Sequence, residues 1–106
     1  MPLDVLRHWQ DWQQRMKIEW TETAGQDRRN IYDYLDERNP IAAIEIDDLI
    51  EEKIDLLIGN MLIGRSGREK GTRELVIHPH YVVVYDIKDT VRILRVLHTS
   101  QQWGNL

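Results

Sequence analysis

The chain reads as an α+β domain in which two N-terminal helices pack on one face of a small antiparallel β-sheet, and three observations predict this. Apolar side chains recur at intervals of three and four on both sides of Asn39-Pro40. Runs rich in Val, Ile, Leu and Tyr occupy 72–78, 81–87 and 91–98, with the short breaks Pro79-His80 and Lys88-Asp89 between them. A length of 106 residues suits one domain with one modest core.

The elements follow in order. Residues 1–15 precede a second methionine, Met16, and place Val5, Trp9, Trp12 and Met16 at helical spacing, with Asp4, Arg7, Gln10 and Gln14 off that line. This spacing predicts a short amphipathic N-terminal helix. Two tryptophans on one short helix leave a large apolar patch in water, so an ordered leader docks on a groove of the same or another molecule. Residues 17–20 form a short strand, and Thr21 with Glu22 in the first turn starts a helix carrying Ala24, Arg28, Ile31, Tyr34 and Leu35. Asn39-Pro40 ends that helix and opens the next, because proline disfavours helical geometry in the preceding residue yet fits the first helical position. The second helix bears a stripe of Ala42, Ile46, Leu49, Ile50, Ile54, Leu57 and Ile58 before Gly59-Asn60 stops it. Residues 61–70, with Gly64, Gly67, Arg65, Arg68 and Lys70, lack periodicity and read as a mobile basic loop.

If both strand connections are two-residue loops, His78 pairs with Tyr81 and Ile87 with Thr90. That register places Leu75, Ile77, Val82, Val84, Val91, Ile93 and Leu97 on a core face. Glu74, Val76, His78, Tyr81, Val83, Tyr85, Arg92, Leu94, Val96 and His98 then share the opposite, working face. A three-residue loop at either connection exchanges the faces of one strand.

Composition closes several classes. Cysteine is absent, which removes disulfides and thiolate metal sites and fits a reducing cytoplasm. No run approaches the roughly 20 apolar residues of a membrane span, and the start lacks a signal-peptide pattern. The net charge of −4 hides an asymmetry: residues 1–60 hold 7 basic and 14 acidic side chains, whereas 61–106 hold 7 and 4. The strand half is the basic half, consistent either with a polyanion-binding face or with acidic helices that keep the protein in solution.

Several strings carry a family likeness. Gly-Thr-Arg-Glu-Leu-Val from Gly71, Tyr-Val-Val-Val-Tyr from Tyr81, Ile-Leu-Arg-Val-Leu-His ending at His98 and Gln-Gln-Trp ending at Trp103 follow two helices and Lys-Ile-Glu-Trp-Thr from Lys17. This order resembles the RelE/ParE superfamily of bacterial type II toxin-antitoxin toxins, with 16–106 as the toxin domain. Because the likeness begins at Met16, the leader is an upstream start, a genuine appended helix, or a remnant of a fused antitoxin tail.

For RelE-type members the resemblance implies metal-free, cofactor-free mRNA cleavage on the ribosome, in which the 2′-hydroxyl attacks the adjacent phosphate. Such chemistry needs a proton acceptor, a charge clamp for the phosphorane and a proton donor for the leaving oxygen. The likeness implies His98 as acid or base and Arg73 as phosphate clamp, while the predicted working face offers Tyr85 for stacking on a base, with Tyr81 the lesser candidate. Arg65, Arg68, Lys70 and Arg92 are candidates for neutralising RNA phosphates. Each has a plainer role: His98 as a partner contact, Arg73 as a cross-strand mate of Asp86, the tyrosines as core filling, the loop cations as solvated charge. His78 and His80 read as turn or surface residues, since no further metal ligand is evident beside them.

Two departures bear on activity. The lysine cluster of the RelE branch is missing, and the sequence pI of about 5.5 is low for a ribosome binder. For the ParE branch the resemblance implies inhibition of DNA gyrase by protein contact, with no nucleolytic residues. A third possibility is an inactive relative whose leader masks the working face. In every case the resemblance implies a cognate antitoxin, an acidic and partly disordered chain that folds on binding.

Overall fold

The computed structural model describes residues 17–100; the leader helix expected over 1–15 and the closing Trp103 lie outside them. Strand β1 (Ile18–Trp20) leads into helix α1 (Glu22–Arg38) and helix α2 (Pro40–Gly59). Strands β2 (Arg65–Ser66), β3 (Arg73–His78), β4 (Tyr81–Ile87) and β5 (Val91–His98) complete the described chain.

The helix boundaries arise from local chemistry. Thr21 caps α1 by accepting the Ala24 amide through its hydroxyl at 3.1 Å. Asn39 serves both helices: its amide donates to the Leu35 carbonyl at 2.6 Å and its side chain accepts the Ala42 amide at 3.2 Å. Pro40 then fills the first position of α2, where its missing N–H leaves no bond unmade. Arg28 bonds Asp47 at 2.7 Å and Glu51 at 2.8 Å, pinning α1 to α2, and its guanidinium lies 5.1 Å over the Trp20 ring of β1.

The expected α+β class holds: among the described residues the sheet has five strands in the order β1-β5-β4-β3-β2, antiparallel as expected except where β1 joins it, which makes it mixed. β1 runs parallel to β5, with Ile18 opposite Val91 and Trp20 opposite Ile93, whereas the other pairings are antiparallel. Parallel pairing needs a long crossover, and the helical hairpin is part of it. The expected loop over 61–70 also contributes an element: Arg65 and Ser66 pair with Glu74 and Arg73 as β2.

The predicted faces need a larger correction. Leu75, Ile77, Val91 and Ile93 do pack beneath the helices with Ile46, Ile50, Ile54 and Leu57. Tyr81, Val83, Tyr85 and Val96, expected on an open face, belong to that same core. Val82, Val84 and Leu97, expected in it, form a separate cluster with Leu94 on the opposite side of the sheet. Two β-bulges cause the exchange, one between Val76 and His78 and one opposite Val84 and Tyr85. A third shift lies in the β4–β5 connection, which pairs Ile87 with Val91 rather than Thr90. Each one-residue slip moves a whole strand segment to the other face.

The β5 bulge is held by groups far away in sequence. The Thr21 hydroxyl contacts the Ile93 and Leu94 carbonyls at 2.9 and 3.2 Å, and the Asp27 carboxylate accepts the Val96 amide at 3.0 Å. The backbone groups that an irregular ladder leaves unmatched thereby find partners in α1 and its cap.

Candidate functional site

At one end of the sheet the β3–β4 turn meets the end of β5. The Thr99 amide donates to the His80 carbonyl at 2.8 Å, drawing the two segments together. Both His78 and His98 stand opposite Tyr81, one from each neighbouring strand. Four rings result in one cluster: His80 stacks on His98 at 5.6 Å, Tyr81 meets His98 edge-on at 5.5 Å, and His78 lies 5.5 Å from His80 and 6.1 Å from Tyr81.

The Nδ1 atoms of two of these rings serve the backbone. His78 Nδ1 accepts the His80 amide, and His98 Nδ1 accepts the Ser100 amide, each at 3.2 Å, with the Ser100 hydroxyl 2.7 Å from His98 Nδ1. A neutral ring that accepts at Nδ1 carries its proton on Nε2, which fixes the tautomer of such a ring. Asn30, Ile31 and Tyr34 of α1 face Tyr81, His98 and Ser100 across an open groove. Tyr34 is well exposed, whereas Tyr81 is buried, and its hydroxyl is pushed above the ordinary tyrosine range by burial and by the neighbouring Tyr34. Sequence reasoning left His78 and His80 as turn residues; the usable signal was the pairing of His78 with Tyr81, which extends through Tyr81 to His98.

Arg73 and Tyr85 lie elsewhere. They stand opposite each other, while His98 pairs with Tyr81 four residues back along β4. At about 3.3 Å per residue that separates the two positions by about 13 Å. Tyr85 is fully buried, so it has no face on which a base can stack. Its hydroxyl donates to the Met61 carbonyl at 2.7 Å and accepts the Gly64 amide at 2.9 Å. Burial raises its pKa above the usual tyrosine value, opposed by the Gly64 hydrogen bond and the Arg73 charge. Arg73 donates to the Gly64 carbonyl at 2.8 Å, so both side chains fasten the 61–64 segment. Gly64 permits this closeness, since a Cβ there would stand 2.6 Å from the Tyr85 hydroxyl oxygen.

The other expected phosphate ligands are mostly committed to carboxylates. Glu74, only 3% exposed, accepts from Arg65 at 3.4 Å and from the Arg68 amide at 2.9 Å. Arg92 forks onto Asp86 at 2.8 and 2.5 Å, taking the carboxylate that the sequence register assigned to Arg73. This pairing holds the guanidinium pKa above its already high normal value. Lys70 borders a shallow recess with Leu62, Gly71, Thr72 and Arg73. Among the described residues no group of three His, Cys, Asp or Glu side chains is arranged to hold a metal ion. No helix among them is long and apolar enough to cross a membrane.

Comparison with known proteins places this architecture. Residues 18–103 match the family model described as the ParE toxin of the type II toxin-antitoxin system parDE. The chain is 38% identical over 90 residues to the putative toxin Y4kP of Sinorhizobium fredii, covering 84% of this chain and 94% of that protein. Among solved structures, the chromosomal ParDE system from P. aeruginosa superposes with a TM-score of 0.71 at 26% identity, over 79% of this chain and 96% of that one. Two others share the fold at lower identity. The Staphylococcus aureus YoeB dimer gives a TM-score of 0.57 at 16% identity, over 79% of this chain and 97% of its own. The E. coli DinJ-YafQ toxin-antitoxin complex gives 0.57 at 19%, over 85% and 99%. The chain belongs to the ParE family of toxins from type II toxin-antitoxin systems, within the wider RelE/ParE superfamily.

Proposed function

We propose that this toxin arrests growth by binding a protein target, DNA gyrase, as the resemblance to the ParE branch implies, rather than by cutting mRNA. One observation carries the reading: the groups expected to perform phosphodiester chemistry are dispersed. Tyr85 is sealed in the core and Arg73 clamps the 61–64 segment, both about 13 Å from His98 along the sheet. Arg65, Arg68 and Arg92 lean on carboxylates, which weakens their claim on phosphates. A cognate antitoxin is the expected partner, in keeping with similarity to the ParDE system and to the DinJ-YafQ complex.

Two parallel assays test the reading. Purified toxin added to gyrase and supercoiled DNA should accumulate cleavage complexes, and mRNA on programmed ribosomes should stay intact at the same toxin concentration. Cut mRNA with unaffected gyrase overturns it. The ring cluster of His78, His80 and His98 favours a second reading, ribosome-dependent mRNA cleavage with histidine proton transfer. The same pair of assays separates the two.

A further inference from the structure

Both helices lie on one side of the sheet, yet Val82, Val84 and Leu97 on the other side are 4%, 0% and 2% exposed. Side chains on the far face of a sheet cannot be shielded by helices across it. We propose that the leader, residues 1–15, together with Met16 docks in cis over this face, which no helix among the described residues covers, and shields the strip formed by Val82, Val84, Leu94 and Leu97. The inference does not depend on which macromolecule the toxin attacks.

Three features select the leader. Its apolar line of Val5, Trp9, Trp12 and Met16 matches the character of the strip, and two tryptophans offer enough area to cover four aliphatic side chains. Its anchor is in the right place: Lys17 accepts the Val91 amide at 3.2 Å, so Met16 leaves from beside the start of β5. Its length also fits. Sixteen residues make a helix of about 24 Å, and the six steps from Val91 to Leu97 span about 20 Å. A reversal at Met16-Lys17 therefore lays the leader along β5 and β4. The opposite terminus is a poorer match. Thr99 and Ser100 are tied to Pro79, His80 and His98 at the far end of β5, and 101–106 hold only Trp103 and Leu106 as large apolar groups.

Because the chain has no native cysteine, paired cysteines report proximity without background. Val76 lies on the same side as Val82 and is 49% exposed, at the rim of the strip. In the full-length chain at low concentration, Gln10→Cys with Val76→Cys should cross-link within one molecule by a short bis-maleimide. Gln10→Cys with Ile44→Cys, on the outer side of α2 where Ile44 is 53% exposed, should not. Equal yields from the two pairs overturn the proposal, as does a product of two chains, which assigns the leader to a second copy. Higher yield from Gln102→Cys with Val76→Cys assigns the face to the C-terminal residues and also overturns it. Thiol reactivity of Leu97→Cys provides a second readout, with Leu75→Cys on the helix side as the control for unfolding. Adding Trp9→Glu and Trp12→Glu should raise the maleimide rate at Leu97→Cys at least tenfold and leave Leu75→Cys unchanged; unchanged rates at both overturn the proposal.

Discussion

Asp27 of α1 and Arg95 of β5 hold each other through hydrogen bonds of 2.7 and 3.1 Å, and the same carboxylate accepts the Val96 amide at 3.0 Å. The pair is largely shielded from solvent, with side-chain exposures of 14% and 19%, and the guanidinium pKa is raised chiefly by its hydrogen bond to Asp27. Asp27 thus closes the bulge that turns Val96 toward the helices. Replacing Asp27→Ala strands a partly buried guanidinium and an amide, and should cost about 2–3 kcal/mol in urea unfolding. A loss under about 0.5 kcal/mol would mean the bulge persists without its clasp.

Tyr85 should prove structural. Tyr85→Phe leaves the Gly64 amide and Met61 carbonyl without their partner and should lower stability by about 1–3 kcal/mol. Growth arrest should survive at temperatures where the variant remains folded. Loss of toxicity with unchanged thermal unfolding would return Tyr85 to the reactive groups.

Gly64→Ala should be at least as harmful, because a methyl 2.6 Å from the Tyr85 oxygen displaces either the 61–64 segment or the ring. Combining it with Tyr85→Phe should not relieve the strain fully, since a Cβ at 64 also stands 2.7 Å from the ring carbon Cε1 of Tyr85. Complete rescue in the double variant, measured by denaturant midpoint, would locate the clash at the hydroxyl alone.

Alkaline pH should weaken the fold. Burial raises the pKa of both Tyr81 and Tyr85 above the ordinary value near 10, so above that pH the folded state retains protons the unfolded chain has lost. The stabilisation is complete below about pH 10 and declines as pH climbs through the folded-state pKa values. Ultraviolet titration of phenolate should show two late-titrating tyrosines, with one removed by Tyr85→Phe. Equal early titration of all four tyrosines of the chain would contradict this.

His98 separates the two functional readings by substitution. His98→Gln keeps polar atoms near Ser100 but cannot shuttle a proton near neutrality. Gyrase poisoning should fall less than about threefold, a loss of under 1 kcal/mol in binding. Reduced growth arrest by two orders of magnitude or more, the usual scale for a lost acid or base, would favour mRNA cleavage.

What was legible from sequence was what acts over a few residues. Asn39-Pro40 set the α1–α2 boundary because a cap and a proline work within one helical turn, and the last two strands have the expected limits. Register was not legible, because the β5 bulge is held by Thr21 and Asp27, about 70 positions away in a direction no spacing rule reports. That gap explains the misplaced Tyr85, the partner exchange between Arg73 and Arg92, and the histidine cluster that emerged only once β3, β4 and β5 were aligned. The parallel placement of β1 was hidden for the same reason: three residues carry too little pattern to name their neighbour.

The pairing of β1 with β5 joins nearly the earliest and the latest described segments in a single ladder. During synthesis, emergence of β1 from the ribosome precedes that of its mate by more than 70 residues, and this edge of the sheet stays open until the final strand is delivered. A partly synthesised chain therefore lacks this ladder, and the finished sheet can form only once β5 has been made.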